Sequence, residues 1–231
     1  RLTQYKYHPH IIHLLPDESE RWKEETNKIR KEIAKTNNSN NKPFVLSDRA
    51  KMYLIQRSRI AKKSKSKLKV VVEVMKNFYD ESQKWIIYCE DQDQLQSVKE
   101  ILIGMHIDVI SYYSNMEDDK EQVLKYFSNN STVMVAINCL DEGVDIPSVS
   151  HALILASTQN PRQFIQRRGR VLRIYEGKHI AEIHDALVSP ITIEDEPDQL
   201  PLVQSELKRA LEFSSYAINT DSGMRIKKHM I

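Results

Sequence analysis

The sequence has 231 residues, 40% of them hydrophobic and 29% charged, and its formal net charge is +2. This composition predicts one globular core, and the net charge is too small to indicate nucleic-acid binding by itself. The two cysteines, Cys89 and Cys139, have no metal-like spacing, which excludes a disulfide framework and predicts a reducing, cytoplasmic environment. No apolar run approaches the length of a membrane span, so we expect no membrane partner. Because the chain begins with Arg1, we expect it to be part of a longer protein.

The first 66 residues are predicted to form a strand followed by helices. Tyr5 and Tyr7 alternate with polar residues, as in a strand. Residues 17–35 begin with an acidic turn and then show helical spacing, which predicts a helix. Residues 44–78 are predicted to continue as helix, and an asparagine-rich loop precedes them.

Two features of this region invite a ligand-binding interpretation. His8, His10 and His13 lie close together, but no carboxylate or cysteine completes a recognisable ligand set, so we predict no metal site. The basic run from Arg57 to Lys69 is either a phosphate contact or a solvated helix face, and the second interpretation is favoured.

Regular alternation of strands and helices begins near residue 84. Short apolar runs predict buried strands at residues 84–89, 107–113, 132–138, 150–156 and 179–187. The segments that follow the first two of these runs show helical spacing. This order predicts an α/β fold with a parallel sheet and helices on both faces. An acidic connector and a helical extension follow, so the expected division is residues 1–66, 67–190 and 191–231.

Three loops are expected at the carboxyl ends of these strands, where open α/β sheets bind ligands. One loop follows Cys89, and a second begins at Ser114. The third and richest runs from Asn138 to Pro147 and includes Gly143 and Asp145. In isolation, its Glu-Gly-Val-Asp stretch would be interpreted as a tight turn.

The segment from Asn160 to Arg173 is predicted to be an amphipathic helix. At 100° per residue, Gln163, Gln166, Arg170 and Arg173 share one face, and the opposite face is apolar. Two guanidinium groups one turn apart suit phosphate oxygens, which arginine binds in a planar, bidentate manner. The alternative is a solvated basic face, which would not require this regular placement.

Residues 166–173, QRRGRVLR, match the Q-x-x-G-R-x-x-R pattern of helicase motif VI. The chain therefore resembles the second, C-terminal RecA-like domain of superfamily-two DEAD/DEAH-type helicases and translocases. The resemblance implies that Arg170 and Arg173 are arginine fingers, catalytic in the full protein, and that Gln166 contacts the nucleotide. An inserted arginine stabilises the charge that develops on a transferred phosphoryl group.

The Asn138–Pro147 loop resembles helicase motif V, with Gly143, Asp145 and Pro147 in the G-x-D-x-P positions. The resemblance implies that Gly143 and Asp145 approach the nucleotide and that Asn138 contacts nucleic-acid phosphate. The chain departs from DEAD-box relatives at Ile137-Asn138, where they carry Thr-Asp. This departure favours the repair-helicase and restriction-subunit branch, and DNA over RNA. Weaker similarity implies nucleic-acid contacts at Cys89 and Ser114. Residues 1–66 loosely resemble the segment that connects the two RecA-like domains in this family.

The chain lacks a G-x-x-x-x-G-K-[ST] phosphate loop and a D-E-x-H box. ATP and Mg²⁺ are therefore expected in the full-length protein, held by a first RecA-like domain that this chain does not contain. We predict that the chain alone holds no cofactor and does not hydrolyse ATP. The first alternative is a non-catalytic module that binds nucleic acid or protein. The second, a dehydrogenase, would need a glycine-rich turn after a strand, which is absent.

Overall fold

A single parallel sheet organises the protein. The computed structural model describes residues 4–36, 45–130, 132–137, 149–156, 180–192, 194–219 and 221–230. Within these ranges the strands are β1 (Tyr5–Ile12), β2 (Trp85–Cys89), β3 (Val109–Tyr112), β4 (Val133–Ile137), β5 (His151–Ile154) and β6 (Ala181–Val188). Their spatial order is β1-β6-β5-β2-β4-β3, and every neighbouring pair is parallel.

Helices and one short 3-10 turn connect and flank these strands. The helices are α1 (Pro16–Thr36), α2 (Asp48–Lys62), α3 (Ser66–Phe78), α4 (Gln92–Gly104), α5 (Lys120–Asn129), α6 (Leu200–Tyr216) and α7 (Asp221–Met230). The 3-10 turn, Pro197–Gln199, precedes α6. Ser47, Asp91 and Asp119 each accept a backbone N–H at the start of α2, α4 and α5. Among the described helices, none has the length and apolar character required to cross a membrane.

Both faces of the sheet are covered, which confirms the predicted α/β fold. One face packs against α5, α6 and α7 through a core that includes Phe127, Phe213 and Ile226. The other packs against α3 and α4 through a core that includes Val74 and Leu102. Strands buried on two faces must be apolar throughout, which explains the continuous hydrophobic runs in β2 and β4.

The N-terminal strand is an edge strand of this sheet. β1 pairs with β6 along its whole length, from Tyr5 opposite Ala181 to Ile12 opposite Val188. The segment predicted to connect two domains thus contributes a strand to the sheet. The expected division at residues 66 and 190 itself remains a prediction.

The outer edge of β1 is bonded by the segment between α6 and α7. The Tyr7 N–H donates to Asn219 Oδ1 at 2.8 Å, and Asn219 Nδ2 donates to the Tyr7 carbonyl at 2.9 Å. The Ile218 N–H donates to the Tyr5 carbonyl at 2.9 Å. The Asn219 side chain therefore presents the same donor and acceptor that a neighbouring peptide group would present.

The predicted helix over residues 44–78 is wrong at its centre, because α2 and α3 are separate helices. The Glu18 carboxylate lies at the break, where it accepts Ser64 Oγ at 2.7 Å and the Lys65 N–H at 2.9 Å. Glu18 also accepts the Leu15 N–H at 3.0 Å, so one buried carboxylate joins α1 to the break. The helical spacing of apolar residues continues across residues 44–78 and gives no sign of a break. The interruption instead depends on Glu18, which is distant in the sequence.

Candidate functional site

The carboxyl ends of the strands form one edge, and the predicted ligand-binding loops leave the sheet there. β4 ends at Ile137, directly before the Asn138–Pro147 loop, and β5 ends at Ile154, before the segment that begins at Asn160. The predicted nucleotide and nucleic-acid residues of these loops lie outside the described residues, and their roles remain predictions: Asn138, Gly143, Asp145, Gln166, Arg170 and Arg173.

The turn between β2 and α4 is acidic and is paired with the basic run. Lys62 Nζ lies 3.1 Å from Glu90 Oε2, and Lys63 Nζ lies 3.2 Å from Asp93 Oδ2. A hydrogen bond from Lys63 to Asp91 raises the pKa of the Lys63 ammonium. These cations of the run are therefore engaged by acids of the same protein, which supports the helix-face interpretation over a phosphate contact.

The Cys89 thiol does not reach the surface. Cys89 is the last residue of β2 and is fully buried, and burial raises the pKa of its thiol far above the ordinary value. A neutral, buried thiol is unsuited to a nucleic-acid contact. The nucleic-acid role of Cys89 stays a prediction, and the burial of its thiol leaves the backbone as the group that could make such a contact at this strand end.

Ser114 lies exposed in the turn after β3, as a nucleic-acid contact requires. An open groove of about 500 Å3 lies between the start of α4 and the end of β3. It is lined by Gln92, Asp93, Leu95, Gln96, Lys99, Ser111 and Tyr113. Its ammonium and amide groups can contact phosphate and its aromatic ring can stack on a base, whereas Asp93 repels phosphate, and the role of Ser114 remains a prediction.

A buried ion-pair network, which sequence reasoning missed, joins α6 to β6. Arg209 Nε and Nη2 lie 3.1 and 3.2 Å from the Asp185 carboxylate, and Arg209 Nη1 lies 2.7 Å from Glu206 Oε1. Tyr7 Oη donates to Asp185 Oδ2 at 2.9 Å. The signal in the sequence was Asp185 itself, a charged residue inside an apolar strand. This network orients α6 against the sheet.

Lys67, at the start of α3, is buried beside this network. Its ammonium donates to the Leu155 carbonyl just beyond β5, and burial lowers the pKa of Lys67 to about 8. A pocket of about 300 Å3 lies beside it and is also lined by Glu206 and Arg209. Charged groups therefore lie close to the carboxyl edge of β5, where the loop toward the predicted arginine helix begins.

Comparison with known proteins identifies the central part of the chain. Residues 66–175 match the family model of the helicase conserved C-terminal domain. A DNA 3'-5' translocase of Sulfurisphaera tokodaii, XPB2, is 31% identical over 115 residues, which are 49% of this chain and 25% of that protein. A putative ATP-dependent RNA helicase of Methanocaldococcus jannaschii is 27% identical over 164 residues, 66% of this chain and 20% of that protein. The chain thus spans a quarter or less of these curated relatives.

Solved structures share the fold. The Sulfolobus solfataricus SWI2/SNF2 ATPase core in complex with dsDNA superimposes with a TM-score of 0.63 at 16% identity, covering 97% of this chain and 50% of that one. The C-terminal part of the Fun30 ATPase domain gives 0.60 at 12% identity, covering 100% and 99%. At such low identity these likenesses concern the fold alone. Residues 66–175 thus correspond to the helicase conserved C-terminal domain, and the chain shares its fold with these ATPase cores.

Proposed function

We propose that this chain is the second motor domain of an ATP-dependent translocase that acts on DNA. In this proposal, a first RecA-like domain outside this sequence holds ATP and Mg²⁺. Arg170 and Arg173 then enter the cleft as arginine fingers, while Gln166, Gly143 and Asp145 contact the nucleotide. Closure of the cleft completes the site, and hydrolysis reopens it, so that chemistry is coupled to movement.

The observation that carries the proposal is the position of the two motif segments relative to the sheet. Asn138 follows β4 directly, and Asn160 follows β5 by a few residues. β4 and β5 flank β2, so both segments leave the same carboxyl edge on either side of one strand. Ligands of open α/β sheets bind at this edge, which supports a nucleotide and nucleic-acid role for both segments.

The nucleic-acid surface is proposed along the same edge, with Asn138 and Ser114 as phosphate contacts. Ser114 is exposed beside the groove that contains Lys99 and Tyr113. Contacts of this type are made mainly to the backbone and depend little on sequence. DNA is favoured as substrate because one relative is named a DNA translocase and one related structure contains dsDNA.

The test uses the parent protein with its first RecA-like domain present. ATP hydrolysis is measured with and without duplex DNA for the wild type, Arg173→Ala and a matched control, Arg49→Ala, whose side chain is exposed on α2. We expect DNA to stimulate the wild type and the control equally. Loss of a finger should reduce turnover by about a thousandfold or more.

The other outcomes separate the elements of the proposal. If Arg173→Ala retains wild-type turnover, the arginine fingers are disproved. Stimulation by RNA alone would overturn the DNA assignment and leave the motor role intact. A parent protein without ATPase activity on any nucleic acid would indicate a non-catalytic binding module. Turnover by the present chain alone would contradict the assignment of ATP to a missing domain.

A further inference from the structure

A cluster of histidine rings lies on the face of β1 and β6 that packs toward α3. His8 and His184 are opposite each other in the strand register, and their rings stack with centroids 4.6 Å apart. The His10 ring lies nearly parallel to that of His184, with centroids 5.2 Å apart. Glu182, two residues earlier on β6, lies on the same face. The cluster lies within the paired part of β1 and β6.

His184 is the centre of this cluster and has one unpartnered nitrogen. The residue is fully buried, and its Nδ1 lies 2.9 Å from His10 Nε2. Its Nε2 is buried without a hydrogen-bond partner. Buried polar atoms are almost always bonded, so an unpartnered ring nitrogen calls for an explanation. If Nδ1–H donates to His10, the lone pair of Nε2 is free to accept a ligand.

Two further residues offer ligand atoms close to the His184 ring. His8 Nε2 is 3.2 Å from Glu182 Oε2, and one ligand atom from each of His8, Glu182 and His184 lies within 4.8 Å of the other two. Ligands of a tetrahedral zinc ion lie roughly 3.4 Å apart, because Zn–N and Zn–O bonds are about 2.0–2.2 Å. Binding of one ion by all three requires the stacked His8 and His184 rings to turn until their in-plane lone pairs converge. The contact of His184 with His10 corresponds to the outer hydrogen bond that commonly fixes the tautomer of a ligating histidine.

We propose that His8, Glu182 and His184 form a binding site for a divalent transition-metal ion, with Zn²⁺ as the best match. Two imidazoles and one carboxylate are a zinc ligand set that leaves a fourth position for water. The His8 and Glu182 side chains are 18% and 22% exposed, which gives the ion a route from solvent. His10 is a positioning residue that orients His184. A bound ion would join the edge strand β1 to β6.

The test is an isothermal calorimetric titration of the chelator-treated chain with Zn²⁺. We expect one saturable site per chain. His8→Gln and Glu182→Gln should each weaken binding at least tenfold, since even loss of an outer-shell partner of a metal site costs about 10–100-fold in affinity. The matched control is His106→Asn, which removes an exposed histidine outside the cluster. Asn tolerates its positive φ of 59°.

Two additional measurements keep the test independent of folding and of ATPase activity. Far-UV circular dichroism verifies that each variant is folded, and Zn²⁺ should raise the melting temperature of the wild type and of the control only. Visible absorption of the Co²⁺-loaded chain reports the geometry and donor atoms of the site. The proposal is overturned if the wild type binds no Zn²⁺ saturably, or if both ligand variants bind it as the wild type does.

Discussion

His184 and Asp185 are consecutive residues of β6, both fully buried, and they point to opposite faces of the sheet. Asp185 accepts hydrogen bonds from Arg209 and Tyr7. His184 has one partnered nitrogen and one without a hydrogen-bond partner. Of two buried polar side chains in one strand, the carboxylate thus has hydrogen-bond donors, whereas the imidazole has one nitrogen without a partner.

This difference separates a structural polar group from a candidate binding group. A satisfied buried ion pair fixes the position of its helix, and removal of one member leaves the other uncompensated. An unsatisfied nitrogen gives the folded chain no such benefit until a ligand arrives. Burial alone therefore does not distinguish a structural polar group from a binding group. The hydrogen-bond partners of each group do.

The largest effect is expected for Asp185→Asn. The substitution removes the negative charge that faces Arg209 and leaves Glu206 as the remaining carboxylate of the network. We expect the free energy of unfolding, measured in urea, to fall by about 3 kcal/mol. Asp93→Asn is the control, because its carboxylate is 89% exposed and should contribute less than about 1 kcal/mol. Equal effects of the two substitutions would show that the network is not structural.

An intermediate effect is expected from Lys67, the cation next to this network. Its pKa is lowered from 10.5 to about 8 by burial, so the unfolded chain binds more protons than the folded chain between these values. Stability should therefore rise with pH in this window, by about 2 kcal/mol between roughly pH 7.5 and 9.5.

Urea unfolding at the two pH values measures this gain. Lys67→Met should abolish it, because the variant has no ammonium to titrate at this site. The exposed Lys65→Met is the control and should retain it. A gain that persists in Lys67→Met would assign the pH dependence to other groups.

The smallest effect is expected for His184→Leu in the presence of a chelator. The substitution loses the hydrogen bond to His10 but also removes the unpartnered nitrogen, and these contributions have opposite signs. The free energy of unfolding should change by less than about 1 kcal/mol, and stabilisation by Zn²⁺ should disappear. If His184→Leu lowers the free energy of unfolding as much as Asp185→Asn does, both residues have a structural role, and the proposed difference between the two faces of the sheet is wrong.

Local patterns predicted most of the sheet, because a strand buried on both faces must be apolar regardless of its neighbours. The runs at 84–89 and 132–138 enclose β2 and β4. The break between α2 and α3 was not predictable in this way, since it depends on the Glu18 carboxylate of α1.

The candidate metal site shows the same limit. Sequence analysis predicted no metal site because His8, His10 and His13 had no nearby carboxylate. The parallel pairing of β1 with β6 places Glu182 and His184 beside His8 and His10. His13 instead lies 2.8 Å from the Ser189 carbonyl. Only the strand order could reveal which histidines share a site, and that order is set by long-range packing.

The bonding of Asn219 to the edge strand has a consequence for self-association. An uncovered parallel edge offers a row of amide and carbonyl groups to which another chain can add as a further strand. The amide of Asn219 and the Ile218 N–H occupy such groups on Tyr5 and Tyr7. The protein thus blocks strand addition at the beginning of β1 with one side chain and one backbone group, and Pro9 in the same strand has no N–H to offer to a further strand.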